Sequence, residues 1–176
     1  MITAESATFF KPITTFIFDM DGVLTDGTVL LLENGLQARR MNIKDGYALQ
    51  LAIRKGYRVI VVSGAVSETA AERLRKLGVT EINMSVTNKR KFIEDYAANK
   101  SLHKSEILFM GDDIPDWEAM AAVGLPACPS DAVNEIKALA KYQSPFPGGM
   151  GCVRDVVEQV LKANDHWQHE EAVSSK

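Results

Sequence analysis

The sequence predicts an α/β domain: a doubly wound, mainly parallel sheet with one β-hairpin insertion and no cap domain. Two observations carry this. Short β-rich runs alternate with amphipathic stretches of helical period, the pattern of successive βαβ units. Those runs are apolar at nearly every position, as strands are when helices cover both faces of their sheet. With 176 residues, 46% of them apolar and 24% charged, the chain can bury a core without staples. The reading is a single domain over residues 1–164, followed by a polar, frayed tail over 165–176.

In order, the predicted strands are Thr14 to Phe18, Arg58 to Val62, a weaker Glu81 to Met84, Ile107 to Met110, and Leu125 to Cys128. Helical patterns fall near 46–55, 67–77, 89–99, 115–123, 131–140 and 152–163. The segment 28–43 interrupts the alternation and reads as a hairpin turning at Asn34-Gly35, because both residues accept positive φ. Its first arm, Val29 to Leu32, is apolar at consecutive positions, so both faces are greasy. A hairpin projecting from a small domain cannot bury both faces by itself, which points to a subunit interface, the alternative being a hairpin folded back over its own sheet.

Composition narrows the function. The formal charge of −3 gives no broad basic footprint for nucleic acid. No apolar run approaches the roughly 20 residues that span a bilayer, and the first eleven residues lack a signal-peptide core. A cytoplasmic protein with neither membrane nor nucleic-acid partner is the expectation. Cys128 and Cys152 fit no metal spacing and read as small buried hydrophobes.

The chemistry gathers at strand ends. Asp19 and Asp21 follow the first strand, and residues two apart in an extended chain point the same way. Asp112, Asp113 and Asp116 follow the fourth strand. In a parallel sheet both ends share one edge, where open α/β sheets bind ligands. Converging carboxylates repel and favour a bound cation, and hard oxygens suit Mg²⁺. Ser63 ends the second strand. Lys89 opens a helix where the macrodipole disfavours a cation, so it needs an anion to face. Together these residues form a kit for phosphoryl transfer: a carboxylate nucleophile, a second carboxylate for acid–base work, a hydroxyl, a lysine and a metal.

At this point the chain resembles the haloacid dehalogenase superfamily. Asp19-Met20-Asp21-Gly22-Val23-Leu24-Thr25 is similar to its first motif, Ser63 to the second, Lys89 to the third, and Gly111-Asp112-Asp113 with Asp116 to the fourth. More narrowly, Asn42-Ile43-Lys44-Asp45-Gly46-Tyr47, Asn88-Lys89, Asp116-Trp117 and Gly148-Gly149-Met150-Gly151 resemble segments of the 3-deoxy-D-manno-octulosonate 8-phosphate phosphatases. That resemblance implies a Mg²⁺-dependent, capless homotetrameric phosphatase whose hairpins pack centrally. Its product, a sugar acid, enters lipopolysaccharide synthesis.

By the resemblance, Asp19 is nucleophile and metal ligand, and Asp21 is acid/base with its carbonyl on the metal. Asp112 is the direct fourth-motif ligand, and Asp113 or Asp116 acts through water. Asn42, Ile43, Lys44, Asp45, Gly46, Arg73 and Lys89 fall on substrate-binding positions.

Three departures bear on the substrate. Ala65, Gln50 and Met150 stand where the family usually has arginine, so each removes a cation that would hold a carboxylate or phosphate. A phosphorylated nine-carbon ulosonic acid is therefore an alternative substrate. Readings from other classes are a phospho-receiver domain and a non-catalytic scaffold. The receiver conflicts with the absence of an aspartate where the third strand ends, near Met84-Ser85. Too few residues separate Ile82 from Lys89 to form a lid, so water exclusion falls to a neighbour or to the chain's own tail.

Overall fold

The computed structural model describes residues 8–168, 170 and 173. Six strands form one sheet: β1 (Thr15–Phe18), β4 (Arg58–Val62), β5 (Glu81–Asn83), β6 (Ile107–Met110), β7 (Leu125–Cys128) and β8 (Tyr142–Gln143). Their order is β5-β4-β1-β6-β7-β8, and every neighbouring pair is parallel. The chain leaves β1 toward β4 and β5, then returns to its other side at β6. That reversal leaves a crevice beyond the carboxyl end of β1, where doubly wound sheets place ligands.

The strand sequences explain the layers. All four residues of β1 are buried, and successive side chains enter opposite faces. Phe16 and Phe18 join one core with α1 (Ile43–Arg54), α2 (Glu68–Lys76) and α6 (Cys152–Ala163). Ile17 joins the other with α3 (Lys89–Lys100), α4 (Trp117–Ala121) and α5 (Asn134–Leu139). The predicted strands and helices are therefore present, most boundaries lying within three residues. Both cysteines are buried and unpaired, as expected. Among the described residues, no helix is long and apolar enough to cross a membrane.

Three features differ from expectation. The hairpin pairs only β2 (Leu30–Leu31) with β3 (Gln37–Ala38), and Asn42 already caps α1 by accepting from the Lys44 amide. Its loop has three residues, not two. Gly35 N–H donates to the Leu32 carbonyl, Leu32 N–H donates to that of Leu36, and only Gly35 has positive φ. This is a type I turn closed by a left-handed glycine. The short strand β8 carries too little apolar sequence to announce itself.

The tail departs most. From Asp165, the described residues are anchored at Trp167 and Val173 rather than frayed throughout. Trp167 meets Tyr47 edge-on, the Arg154 guanidinium lies over both rings, and Val173 is buried in the core. The tail residues 169, 171–172 and 174–176 lie outside the described set. Polar composition hid a segment held by an aromatic–cation stack.

Candidate active site

The site begins where β1 runs out. Asp19 N–H donates to the Met110 carbonyl at 3.0 Å, extending the β1–β6 ladder by one bond. The chain then makes a tight loop over Met20–Leu24, closed by Thr25 N–H donating to the Met20 carbonyl. Gly22 is required there twice over. Its φ is +92°, and a Cβ would lie 2.1 Å from Asp112 Oδ2. The glycine therefore lets the carboxylate from β6 press against the loop from β1. Thr25 Oγ1 steadies this loop, accepting from Gly22 N–H and donating to Asp21 Oδ1 at 3.4 Å.

The two acidic strand ends converge. Carboxylate oxygens of Asp19, Asp112 and Asp116 lie within 4.8 Å of one another. Lys89, the first residue of α3, reaches between them. Its Nζ donates to Asp19 Oδ1 at 2.7 Å and to Asp116 Oδ1 at 2.6 Å. Asp116 Oδ2 accepts from the Asp112 amide, so this carboxylate braces the loop as well. Asp113, by contrast, is exposed and spends Oδ1 on the Ile114 amide, capping the turn that follows. Ser63 is buried at the end of β4, its Oγ accepting from Ala65 N–H. Asp19, Asp21, Ser63, Lys89, Asp112 and Asp116 all line one cavity of about 570 Å³.

The electrostatics are those of a crowded anionic pocket. Burial raises Asp19 to about 6, with Asp116 adding to the rise and Lys89 opposing it. Burial likewise raises Asp112 to about 7, reinforced by Asp116 and Asp19. Burial alone lowers Lys89, but the Asp116 and Asp19 charges outweigh it and hold the ammonium above its ordinary value. Hard oxygens drawn this close, two of them reluctant to ionise, are the donor set a divalent cation stabilises.

Apart from Lys89, which lines it, the predicted substrate positions are not brought into this cavity within one chain. Asn42 caps α1, and Ile43 is exposed beside it. Asp45 is buried and accepts from the Arg154 amide at 2.8 Å, so it caps the start of α6. Gly46 packs against Leu77. Lys44 lines a separate recess with Phe146, Met150 and Arg154. Arg73 lines a third, beside Arg39.

Arg39 was not foreseen. Its Nε donates to Asp21 Oδ1 at 2.7 Å. The signal was its spacing: it stands two residues before Met41, which packs against the core, so both turn inward from an otherwise exposed arm.

A parallel α/β sheet with paired acidic strand ends, a buried lysine and no inserted lid defines a capless phosphatase of the haloacid dehalogenase type. Residues 75–148 match the haloacid dehalogenase-like hydrolase family. The 3-deoxy-D-manno-octulosonate 8-phosphate phosphatase of Salmonella typhimurium is 30% identical over 147 residues, covering 84% of this chain and 78% of that protein. The crystal structure of the Yersinia pestis phosphatase of that name superposes with a TM-score of 0.90 at 26% identity, covering 98% of this chain and 92% of that one. The Moraxella catarrhalis phosphatase, solved with a magnesium ion, a phosphate ion and the sugar acid, gives 0.88 at 27% identity over 92% and 94%. The chain belongs to this family of phosphoric monoester hydrolases.

Proposed function

We propose that this protein hydrolyses 3-deoxy-D-manno-octulosonate 8-phosphate to the free sugar acid and phosphate, with Mg²⁺ as cofactor. One observation carries the reading: Asp19, Asp112 and Asp116 present their oxygens within 4.8 Å of one another at the end of β1.

Asp19 attacks phosphorus, forming an aspartyl-phosphate as the bond to the sugar oxygen breaks. Asp21 gives its proton to the departing alkoxide, then takes one from the water that cleaves the aspartyl-phosphate. That second attack returns Asp19 as a carboxylate and releases phosphate. Lys89 balances negative charge beside Asp19, and the Ser63 hydroxyl donates to a phosphoryl oxygen. Asp19, Asp112 and the Asp21 carbonyl would hold Mg²⁺. Asp116, buried within the cluster, is better placed than Asp113 for the water-mediated contact. The ion supplies charge neutralisation on the phosphoryl oxygens and orients the phosphate for in-line attack.

Val29 to Leu32 and Leu36 are exposed on the hairpin, Leu31 to 73%. Such a surface supports assembly as a homotetramer through this segment. Water would then be excluded by neighbours, and Asn42, Ile43, Lys44, Asp45 and Gly46 would act beside a neighbouring subunit's substrate.

The loss of arginine at Ala65, Gln50 and Met150 favours the nine-carbon ulosonic acid 9-phosphate as the second reading. Phosphate release with Mg²⁺, compared for the eight- and nine-carbon substrates, decides between them. A higher kcat/KM on the eight-carbon acid is expected. A preference for the nine-carbon acid would reassign the substrate, and no release from either would overturn the activity.

A further inference from the structure

We infer that Arg39, on the hairpin's second arm, reads the substrate's carboxylate together with Arg73. The inference rests on the phosphatase reading above and adds a specificity-determining residue to it.

Arg39 is a cation the fold encloses, its side chain 7% exposed. It stands between two cavities of opposite character. On one side it donates to both oxygens of Asp21, Nε to Oδ1 at 2.7 Å and Nη2 to Oδ2 at 3.4 Å. Asp21 in turn lines the acidic cavity over Asp19. On the other side Arg39 lines a cavity of about 180 Å³ with Met41, Ser67, Thr69 and Arg73. None of the residues lining this smaller cavity is acidic. Two guanidinium groups and two hydroxyls are donors suited to a carboxylate, and arginine's fork can meet one with paired N–H bonds. Asp21 takes the Nε edge, and the guanidinium has five N–H donors in all. Donors therefore remain for a ligand.

Arg39 bonds Asp21, which lines the acidic cavity, and itself lines the smaller one, so in this proposal a substrate with a phosphate at one end and a carboxylate at the other lies across both. Phosphorus would sit over Asp19, and the acid group between the two arginines. The replaced arginines supply the reason. Ala65 lines the acidic cavity without a charge, Gln50 donates back to the Gly46 carbonyl, and Met150 faces the recess of Lys44. None restores a cation near Asp21, and Arg39 does.

The test compares 3-deoxy-D-manno-octulosonate 8-phosphate with a carboxylate-free hexose 6-phosphate, both with Mg²⁺. Arg39→Ala should lower kcat/KM for the carboxylated substrate by at least ~30-fold more than for the neutral one, mainly through KM, as loss of a charged hydrogen-bond partner does. Arg39→Lys should recover part of that difference, since lysine restores the charge without the fork. Equal losses on both substrates would overturn the proposal, confine Arg39 to Asp21, and leave the phosphatase reading intact. A wild-type enzyme with no preference for the carboxylated substrate would sink that reading and this proposal together. A second readout needs no variant. The free octulosonate should inhibit the wild type at least ~30-fold more strongly than its analogue with the carboxylate reduced to an alcohol, by the same hydrogen-bond arithmetic. Equal inhibition would overturn the proposal.

Discussion

The acidic sheet edge and the hairpin differ in how far one chain completes them. At the edge, Asp19, Lys89, Asp112 and Asp116 are buried or half-buried and hold one another in place. On the hairpin, Leu30, Leu31 and Leu36 are each more than 60% exposed, and four residues make its ladder. Reactive groups thus sit on rigid elements of a finished core, while the covering surface stays open. The difference teaches a division of labour under the proposed function: chemistry belongs to the chain, and its enclosure would belong to the assembly.

The largest test of that division falls on the edge. Asp19→Asn should lower kcat by roughly 10³-fold or more, because it removes the proposed nucleophile while preserving shape. The thermal midpoint should hold, since the amide sheds a carboxylate that burial already disfavours. Residual activity within tenfold of wild type, measured by phosphate release, would dissolve the edge's side of the comparison. Lys89→Met should cost on the order of 10²-fold in kcat/KM, as lost electrostatic stabilisation does. It also leaves Asp19 and Asp116 facing each other without their shared ammonium. If Lys89→Met is as active as wild type, Lys89 merely neutralises the cluster.

A smaller effect is expected on the hairpin. Leu30→Asp with Leu31→Asp should shift the mass in light scattering toward a single 19.4 kDa chain. Activity should fall about tenfold through water entry and lost ordering rather than lost chemistry. A wild type already at that mass would overturn the proposed assembly, and an oligomer unchanged by the substitutions would place its surface elsewhere.

An effect on stability rather than activity comes from Asp45, a carboxylate outside both regions. Burial raises it to about 6 from an ordinary 3.8. Between those values the folded chain holds a proton that the unfolded chain has released, so stability falls as pH rises through the window and levels above 6. The penalty at neutral pH is on the order of 3 kcal/mol. Asp45→Asn keeps an oxygen for the Arg154 amide and removes the charge. Urea midpoints of wild type and variant should agree near pH 4, with the variant higher at pH 7. Parallel curves would show that Asp45 ionises freely in the folded chain.

Much of this molecule was legible because contiguous apolar runs leave a strand few alternatives. Phe16, Ile17 and Phe18 had to enter a sheet covered on both sides, and Asp19 then had to stand at its edge. The acidic convergence followed from parallel topology alone. What escaped were features fixed by contacts distant in sequence. Arg39 drew no reading because its partner Asp21 lies 18 positions away in the sequence. The brace that Asp45 gives α6, accepting from the Arg154 amide, was not foreseen, because the two residues lie 109 positions apart. The tail looked frayed because one aromatic, Trp167, anchors it among polar neighbours. The Asn34-Gly35 turn was located correctly but its length was not, since a glycine with positive φ serves loops of either size.

The central claim is that Asp19 takes the phosphoryl group onto itself. Rapid acid quench of the enzyme turning over phosphorus-labelled substrate with Mg²⁺ tests it most directly. The account predicts label bound covalently at Asp19 in the wild type and lost in Asp19→Asn. Turnover with no protein-bound label at any quench time, or label on another residue, would contradict it.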